Sequence, residues 1–238
     1  MPRRPRSDAP ATFFHVINRS VRKTPLFPRS HDYREFLGLL CEGLKRHPVR
    51  LLAFCIMSNH WHLVVGPVDP PQLSKLLHWV STTHAVRLHL RRKTVGQGPV
   101  YQGRFKSHVI DSPDQLVRVC RYVERNALRA RLVRRAQDWP WCSLSERLSV
   151  EHRVPLVRTA FLESAAWVEY VNTALTLREQ SVRPVPRSAR TVENRPVPQR
   201  VENATGAKRK MLRMKELGDR AEEPGTGQGG EQRRRVVG

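Results

Sequence analysis

The chain has 238 residues, enough for one full domain with appendages or for two small ones. Its 43 Lys and Arg against 21 Asp and Glu give a formal net charge of +22 and a pI near 11.3, a balance that attracts polyanions. The longest apolar run, Leu51 to Met57, is far too short to span a bilayer, so nucleic acid and not a membrane is the expected polyanion.

The basic start, Met1-Pro2-Arg3-Arg4-Pro5-Arg6, is followed by no apolar segment and does not read as a secretory signal. The expected location is the cytoplasm, in association with the nucleoid. Cys41, Cys55, Cys120 and Cys142 form no C-x-x-C pair, which predicts reduced core residues and neither a disulfide framework nor a zinc ribbon.

Thr12 to Asn18, rich in aromatic and β-branched residues, predicts a first strand. A Pro-containing loop leads to Ser30 as N-cap of a helix over 31–46, with Phe36, Leu37, Leu40 and Leu44 on one stripe and Pro48 as its stop. Val49 to Met57 and His60 to Val65 predict an antiparallel hairpin turning at Ser58-Asn59, which puts the second of these strands inside the sheet. Leu73, Leu76, Leu77, Val80 and Leu88 then recur at helical spacing up to the basic end Arg91-Arg92-Lys93. Beyond the Gly-containing connector 95–99, a strand is expected over 100–110, with Arg104, Lys106 and His108 at alternate positions on one basic face. Ser112-Pro113-Asp114-Gln115 combines an N-cap Ser, a Pro at the first helical position and a Gln for a capping box, so a helix starts at Pro113.

The order β-α-β-β-α-β predicts an α+β fold, a ferredoxin-like split β-α-β domain with an antiparallel sheet. A basic leader (1–10), a folded domain (11–148) closed by the aromatic segment Trp139-Pro140-Trp141, a helical extension (149–180) and a disordered basic tail (181–238) complete the organisation. The tail holds 14 basic and 7 acidic residues and few large apolar ones, a composition that cannot bury a core.

The chemistry centres on His60-Trp61-His62. Strand alternation sends both imidazoles to one face and Trp61, as a core anchor, to the other. Paired imidazoles on an open sheet face are half of a metal site, although a His-x-His pair in a strand also has a plain structural reading. On the helix from Pro113, the residues Leu116, Val119, Cys120, Val123 and Ala127 form the core face. Tyr122 and Asn126 lie four residues apart at its edge, beside Arg118, Arg125 and Arg129. Read singly, Tyr122 is an interface residue and Asn126 a surface amide. Together with the histidines, an amide oxygen one turn after a tyrosine completes a divalent site with open positions for phosphate oxygens. The arginines, with Arg104 and Lys106, would then hold adjacent phosphates.

Met57-Ser58-Asn59-His60-Trp61-His62-Leu63-Val64 resembles the HUH motif of single-tyrosine transposases, and Tyr122-Val123-Glu124-Arg125-Asn126-Ala127-Leu128-Arg129-Ala130 resembles their tyrosine helix. Phe14-His15-Val16-Ile17-Asn18-Arg19, Gly103-Arg104-Phe105-Lys106-Ser107 and Trp139-Pro140-Trp141-Cys142-Ser143 are similar to segments of the REP-associated branch, named for repetitive extragenic palindromes. The resemblance covers about residues 10–148. It implies that His60, His62 and Asn126 bind a divalent ion, Mg²⁺ or Mn²⁺, and that Tyr122 cleaves and rejoins single-stranded hairpin DNA through a 5′-phosphotyrosine. Relatives in this family work as dimers, some exchanging the tyrosine helix, so a homodimer is among the implied assemblies. Ala127 stands where the family commonly has Pro, and Arg125 where it commonly has an apolar residue. The alternative is a non-catalytic, domesticated hairpin-binding protein. A third reading, an RNA-binding module, would call for stacking aromatics where the sheet face instead carries His60, His62, Arg104 and Lys106.

Overall fold

Three runs of β-branched and aromatic residues, Phe13–Arg19 (β1), Val49–Met57 (β2) and His60–Pro67 (β3), pair with a short fourth strand, Lys106–Ile110 (β4), in one antiparallel sheet of order β2-β3-β1-β4. With the helices Ser30–Arg46 (α1) and Pro70–Arg92 (α2) between strands, this is the expected α+β split β-α-β arrangement. The computed structural model describes residues 13–67 and 70–174; the basic leader and tail read from the sequence, and the last residues of the extension, lie outside them.

The register divides the sheet's side chains into two layers. Phe14 and Val16 of β1, Trp61, Leu63 and Val65 of β3, and Phe54 and Ile56 of β2 pack against α1 and α2 in one core. Trp61 is fully buried there and donates its indole N–H to the Tyr101 hydroxyl at 3.2 Å. In turn, Tyr101 hydrogen-bonds His84 Nδ1 at 2.6 Å. His60, His62 and Val64 point to the opposite layer, with His15 and Ile17 of β1 and Lys106 and His108 of β4. That layer is not an open sheet face, as the sequence led us to expect. Helix α3 (Pro113–Glu124) covers it with Val119, Cys120 and Val123, which join Ala53, Cys55, Met57 and Val64 in a second core.

Local signals hold where they are local. Ser112 Oγ accepts the Gln115 N–H at 3.2 Å, while the Gln115 amide oxygen accepts the N–H of Asp111 at 2.8 Å, one residue ahead of the usual capping-box partner. At α1 the N-cap is Arg29, not Ser30, because the Asp32 carboxylate at the third helical position accepts the Arg29 N–H at 2.8 Å. The strand expected over 100–110 survives only from Lys106. Gly103, at φ 153°, breaks the run, and Tyr101 forms an isolated bridge to Ser20.

The predicted continuous tyrosine helix is interrupted. It ends at Glu124, Arg125 caps it at φ −81° and ψ −2°, and a short helix α4 (Asn126–Arg129) follows.

The edge strand β2 is covered twice. The indole N–H of Trp139 donates to the Ile56 carbonyl and Ile56 N–H to the Trp141 carbonyl, each at 2.9 Å, while Trp141 stacks on Tyr33. Farther along, Val157 N–H donates to the Leu51 carbonyl at 2.8 Å. The extension expected over 149–180 is therefore first a strap along β2. It becomes helical at Ala160–Glu163 (α6) and Ala165–Asn172 (α7), which follow α5 (Ser143–Leu148). Leu162, Trp167 and Val171 belong to the core under α3, so no boundary falls at residue 148 among the described residues.

Buried charge ties these pieces to the tyrosine helix. The Glu124 carboxylate, fully buried, accepts from Ser143 Oγ at 2.6 Å, from Trp167 Nε1 at 2.7 Å and from the Arg147 guanidinium. Arg147 also donates to the carbonyl of Leu52, the residue left over where β2 bulges between Leu51 and Ala53.

Candidate metal and tyrosine site

His60 and His62 stand on an interior strand with ring centroids 5.0 Å apart and planes at 80°. The Nδ1 of His60 lies 2.7 Å from the Asn59 side-chain oxygen, which can only accept, so Nδ1 carries the proton and Nε2 the free lone pair. Asn59 is itself anchored, donating from Nδ2 to the Lys23 carbonyl at 3.1 Å. The Nδ1 of His62 lies 2.9 Å from His15 Nε2, and its Nε2 lies 3.3 Å from the Asn126 amide nitrogen.

Burial lowers the His60 pKa to about 4, with Arg19 and Arg129 adding repulsion. Burial, then the neighbouring His15 and His60, drives that of His62 well below the usual histidine range. Both rings are therefore neutral at pH 7, the form that ligates a metal.

This donor set fits a divalent ion. Two neutral imidazoles stand side by side on one face of β3, each with Nδ1 engaged by a partner outside the set. Adjacent donors around an ion with bonds near 2.1 Å stand about 3 Å apart, close to the His62–Asn126 separation of 3.3 Å. A half-turn of the Asn126 amide would put Oδ1 in the place of Nδ2, 3.3 Å from His62 Nε2.

Helix α3 delivers the tyrosine. The Tyr122 ring is 5.7 Å from His62 and 6.0 Å from His15, edge-on to both. The Arg129 guanidinium lies 5.0 Å over the Tyr122 ring, linking α4 to α3 across the Arg125 break.

The other predicted cations divide. Arg118 is exposed one turn before Tyr122, and Lys106 is exposed on β4 opposite Ile17. Arg104 is exposed but precedes the strand, so it does not alternate with Lys106 on a common face. Arg125, expected beside the tyrosine, instead donates from Nη1 to the Val171 and Asn172 carbonyls at 2.6 and 2.8 Å; it holds the end of α7. Sequence reasoning missed His15, Asn59 and Arg19. His15 was readable only through the cross-strand pairing of β1 with β3, which the ferredoxin-like order implies.

Among the described residues, one grouping of three metal-type side chains lies elsewhere: His31, Asp32 and Glu35 at the start of α1. Arg91 pairs with Asp32 at 2.8 Å and with Glu35, so the protein supplies that cation itself.

Residues 10–126 match the family model described as Transposase IS200 like. A curated Haemophilus influenzae protein, assigned by name to the REP-associated tyrosine transposases, is 22% identical over 147 residues, covering 58% of this chain and 82% of that protein. A solved structure of a REP-associated tyrosine transposase bound to a REP hairpin aligns with 62% of this chain and 86% of its own, at 16% identity and a TM-score of 0.48.

Proposed function

Residues 10–126 belong to the IS200-like transposases, and from that premise we propose that the protein is a metal-dependent transposase and endonuclease that cleaves and rejoins single-stranded hairpin DNA through Tyr122. The observation that carries the reading is the convergence, within one chain, of Tyr122, His62 and Asn126: the tyrosine ring 5.7 Å and the amide 3.3 Å from the same imidazole.

The chemistry asked of these groups is an in-line displacement. A bond forms from the Tyr122 oxygen to phosphorus as the bond from phosphorus to the 3′ oxygen breaks. The phenol proton is given up, and the 3′ oxygen leaves as a hydroxyl. Reversal by an incoming 3′ hydroxyl rejoins the strand and frees the tyrosine. His60, His62 and Asn126 would hold a divalent ion, Mg²⁺ or Mn²⁺, which supplies charge neutralisation at the non-bridging oxygens. Arg129, whose guanidinium lies over the Tyr122 ring, would hold phosphate beside the tyrosine, and Arg118 and Lys106 would extend the cationic surface. The name of the curated relative points to repetitive extragenic palindromes as the substrate class.

The test is a labelled hairpin oligonucleotide incubated with the protein and Mn²⁺. A covalent protein–DNA adduct is expected from wild type and none from Tyr122→Phe. No adduct from wild type, or equal adduct from the variant, sinks the mechanism. Salt-sensitive binding indifferent to metal and to His60→Ala would instead identify a non-catalytic hairpin binder.

A further inference from the structure

His15 occupies a place where an aliphatic side chain would serve the fold better. It is 1% exposed at the middle of β1, an interior strand, in a layer that also holds Ile17 and Val64. Its Nδ1 is buried and has no hydrogen-bond partner among the described residues, a cost that native cores normally avoid. Among the described residues its side-chain hydrogen bond runs from Nε2 to His62 Nδ1, at 2.9 Å between near-parallel rings whose centroids are 5.1 Å apart at 13°.

That contact is chemically one-sided once His62 is to ligate through Nε2. A neutral imidazole has a single N–H, so a free lone pair on Nε2 requires the proton on Nδ1. His62 Nδ1–H must then donate, and His15 Nε2 must accept. His15 in consequence carries its own proton on Nδ1, the atom that the fold leaves unpartnered. The buried, unsatisfied N–H is the expected counterpart of a correctly oriented His62.

We propose that His15 is a positioning residue that fixes the tautomer and ring orientation of His62, so that its Nε2 lone pair faces the divalent ion. The proposal rests on the metal site advanced above. It adds a residue from another strand on which that site depends. Asn59 plays the matching part for His60 from the hairpin turn, so each imidazole has its own acceptor.

The test compares Mn²⁺ binding to the full chain, followed by loss of the free-ion resonance signal, for wild type, His15→Leu, His15→Gln and His60→Ala. His15→Leu removes the acceptor and fills the space; His15→Gln keeps an oxygen acceptor at similar reach. Expected are a 10–100-fold weaker Mn²⁺ affinity for His15→Leu, recovery to within about 3-fold in His15→Gln, and a melting temperature of metal-free His15→Leu no lower than that of wild type. A merely structural role would move the melting temperature and leave the affinity. Equal affinity in folded His15→Leu and wild type overturns the role of His15 while leaving the metal site standing. Should His15→Leu fail to fold, a folded His15→Gln that loses affinity by 10-fold or more overturns it as well. Wild type that binds no Mn²⁺, or binds it as His60→Ala does, overturns the metal site itself.

Discussion

The Tyr122 ring meets the His62 imidazole edge-on, with centroids 5.7 Å apart and planes at 88°, and both residues belong to the same chain. A tyrosine helix borrowed from a second copy is not needed to complete this arrangement, because α3 packs on the sheet layer that carries the histidines. Assembly in cis is therefore expected. Mixing Tyr122→Phe with His62→Ala should yield no covalent adduct with a hairpin oligonucleotide above the background of either variant alone. Restored adduct in the mixture would show that the tyrosine acts in trans.

Arg125 and Arg129 are one helical turn apart and do different work. Arg129 is exposed and lies over the Tyr122 ring, whereas Arg125 binds the carbonyls that end α7. Arg129→Ala should weaken hairpin binding and lower the slope of log K against log salt by about 0.7–0.9, with stability within about 0.5 kcal/mol of wild type. Arg125→Ala should leave the slope in place and cost about 1–3 kcal/mol in urea unfolding, since it strands buried carbonyls. Similar salt slopes for both variants would contradict this division.

That division also shows where sequence reasoning stopped. Helical spacing puts Arg125 near Tyr122, but only the packing of α7, distant in the chain, reveals what its guanidinium binds. The β2–β3 hairpin and the start of α3 were legible because alternation, turn residues and an N-cap act within a few residues. The side shared by His60 and His62 was legible from strand alternation, and its burial was not, because α3 covers it through long-range contacts. His15 was legible only through strand register, because its partner lies 47 positions away in the chain. The late start of β4, at Lys106, was written in Gly103, a residue passed over inside an apparently regular strand.

Glu124, two residues beyond the tyrosine, and Arg147 form a buried pair with side-chain exposures of 0% and 1%. Removing one partner leaves the other as an uncompensated buried charge. Glu124→Gln should cost about 3–5 kcal/mol, measured as a lower midpoint of urea unfolding at an unchanged slope. Glu124→Gln combined with Arg147→Met should recover part of that loss. A double variant as unstable as the sum of the two single changes would argue against the pairing.

His84 sits between Phe27, Phe36 and Tyr101, with Arg87, Arg91 and Arg92 on its own helix, and burial first of all lowers its pKa to about 3. The folded value lies below that of the unfolded chain, near 6.5. The stabilisation is therefore present above pH 6.5 and falls away as pH drops towards 3, by up to about 1.4 kcal/mol per pH unit. His84→Asn keeps an acceptor for the Tyr101 hydroxyl and removes the titrating group. Its unfolding free energy should depend on pH less steeply than that of wild type between pH 6 and 4; equal slopes would show that His84 does not carry the effect.

The proposed metal ligands are all neutral, and the charges acting on the two histidines include Arg19 and Arg129. Among the described residues, the one grouping of three or more His, Cys, Asp or Glu side chains lies at α1, so no carboxylate completes this site in the manner of a hard-cation cage. A divalent ion placed here without DNA meets repulsion from both arginines. A DNA phosphate beside it supplies the missing negative charge and pairs with those same arginines. Ion and DNA should thus bind cooperatively, and linkage makes the effect reciprocal. In the Tyr122→Phe background, where no covalent step intervenes, a saturating hairpin oligonucleotide should tighten Mn²⁺ binding by about 5–150-fold. Mn²⁺ should tighten hairpin binding by the same factor. Arg129→Ala should improve metal affinity without DNA and shrink the coupling, whereas a Mn²⁺ affinity indifferent to DNA would place the phosphate away from the ion.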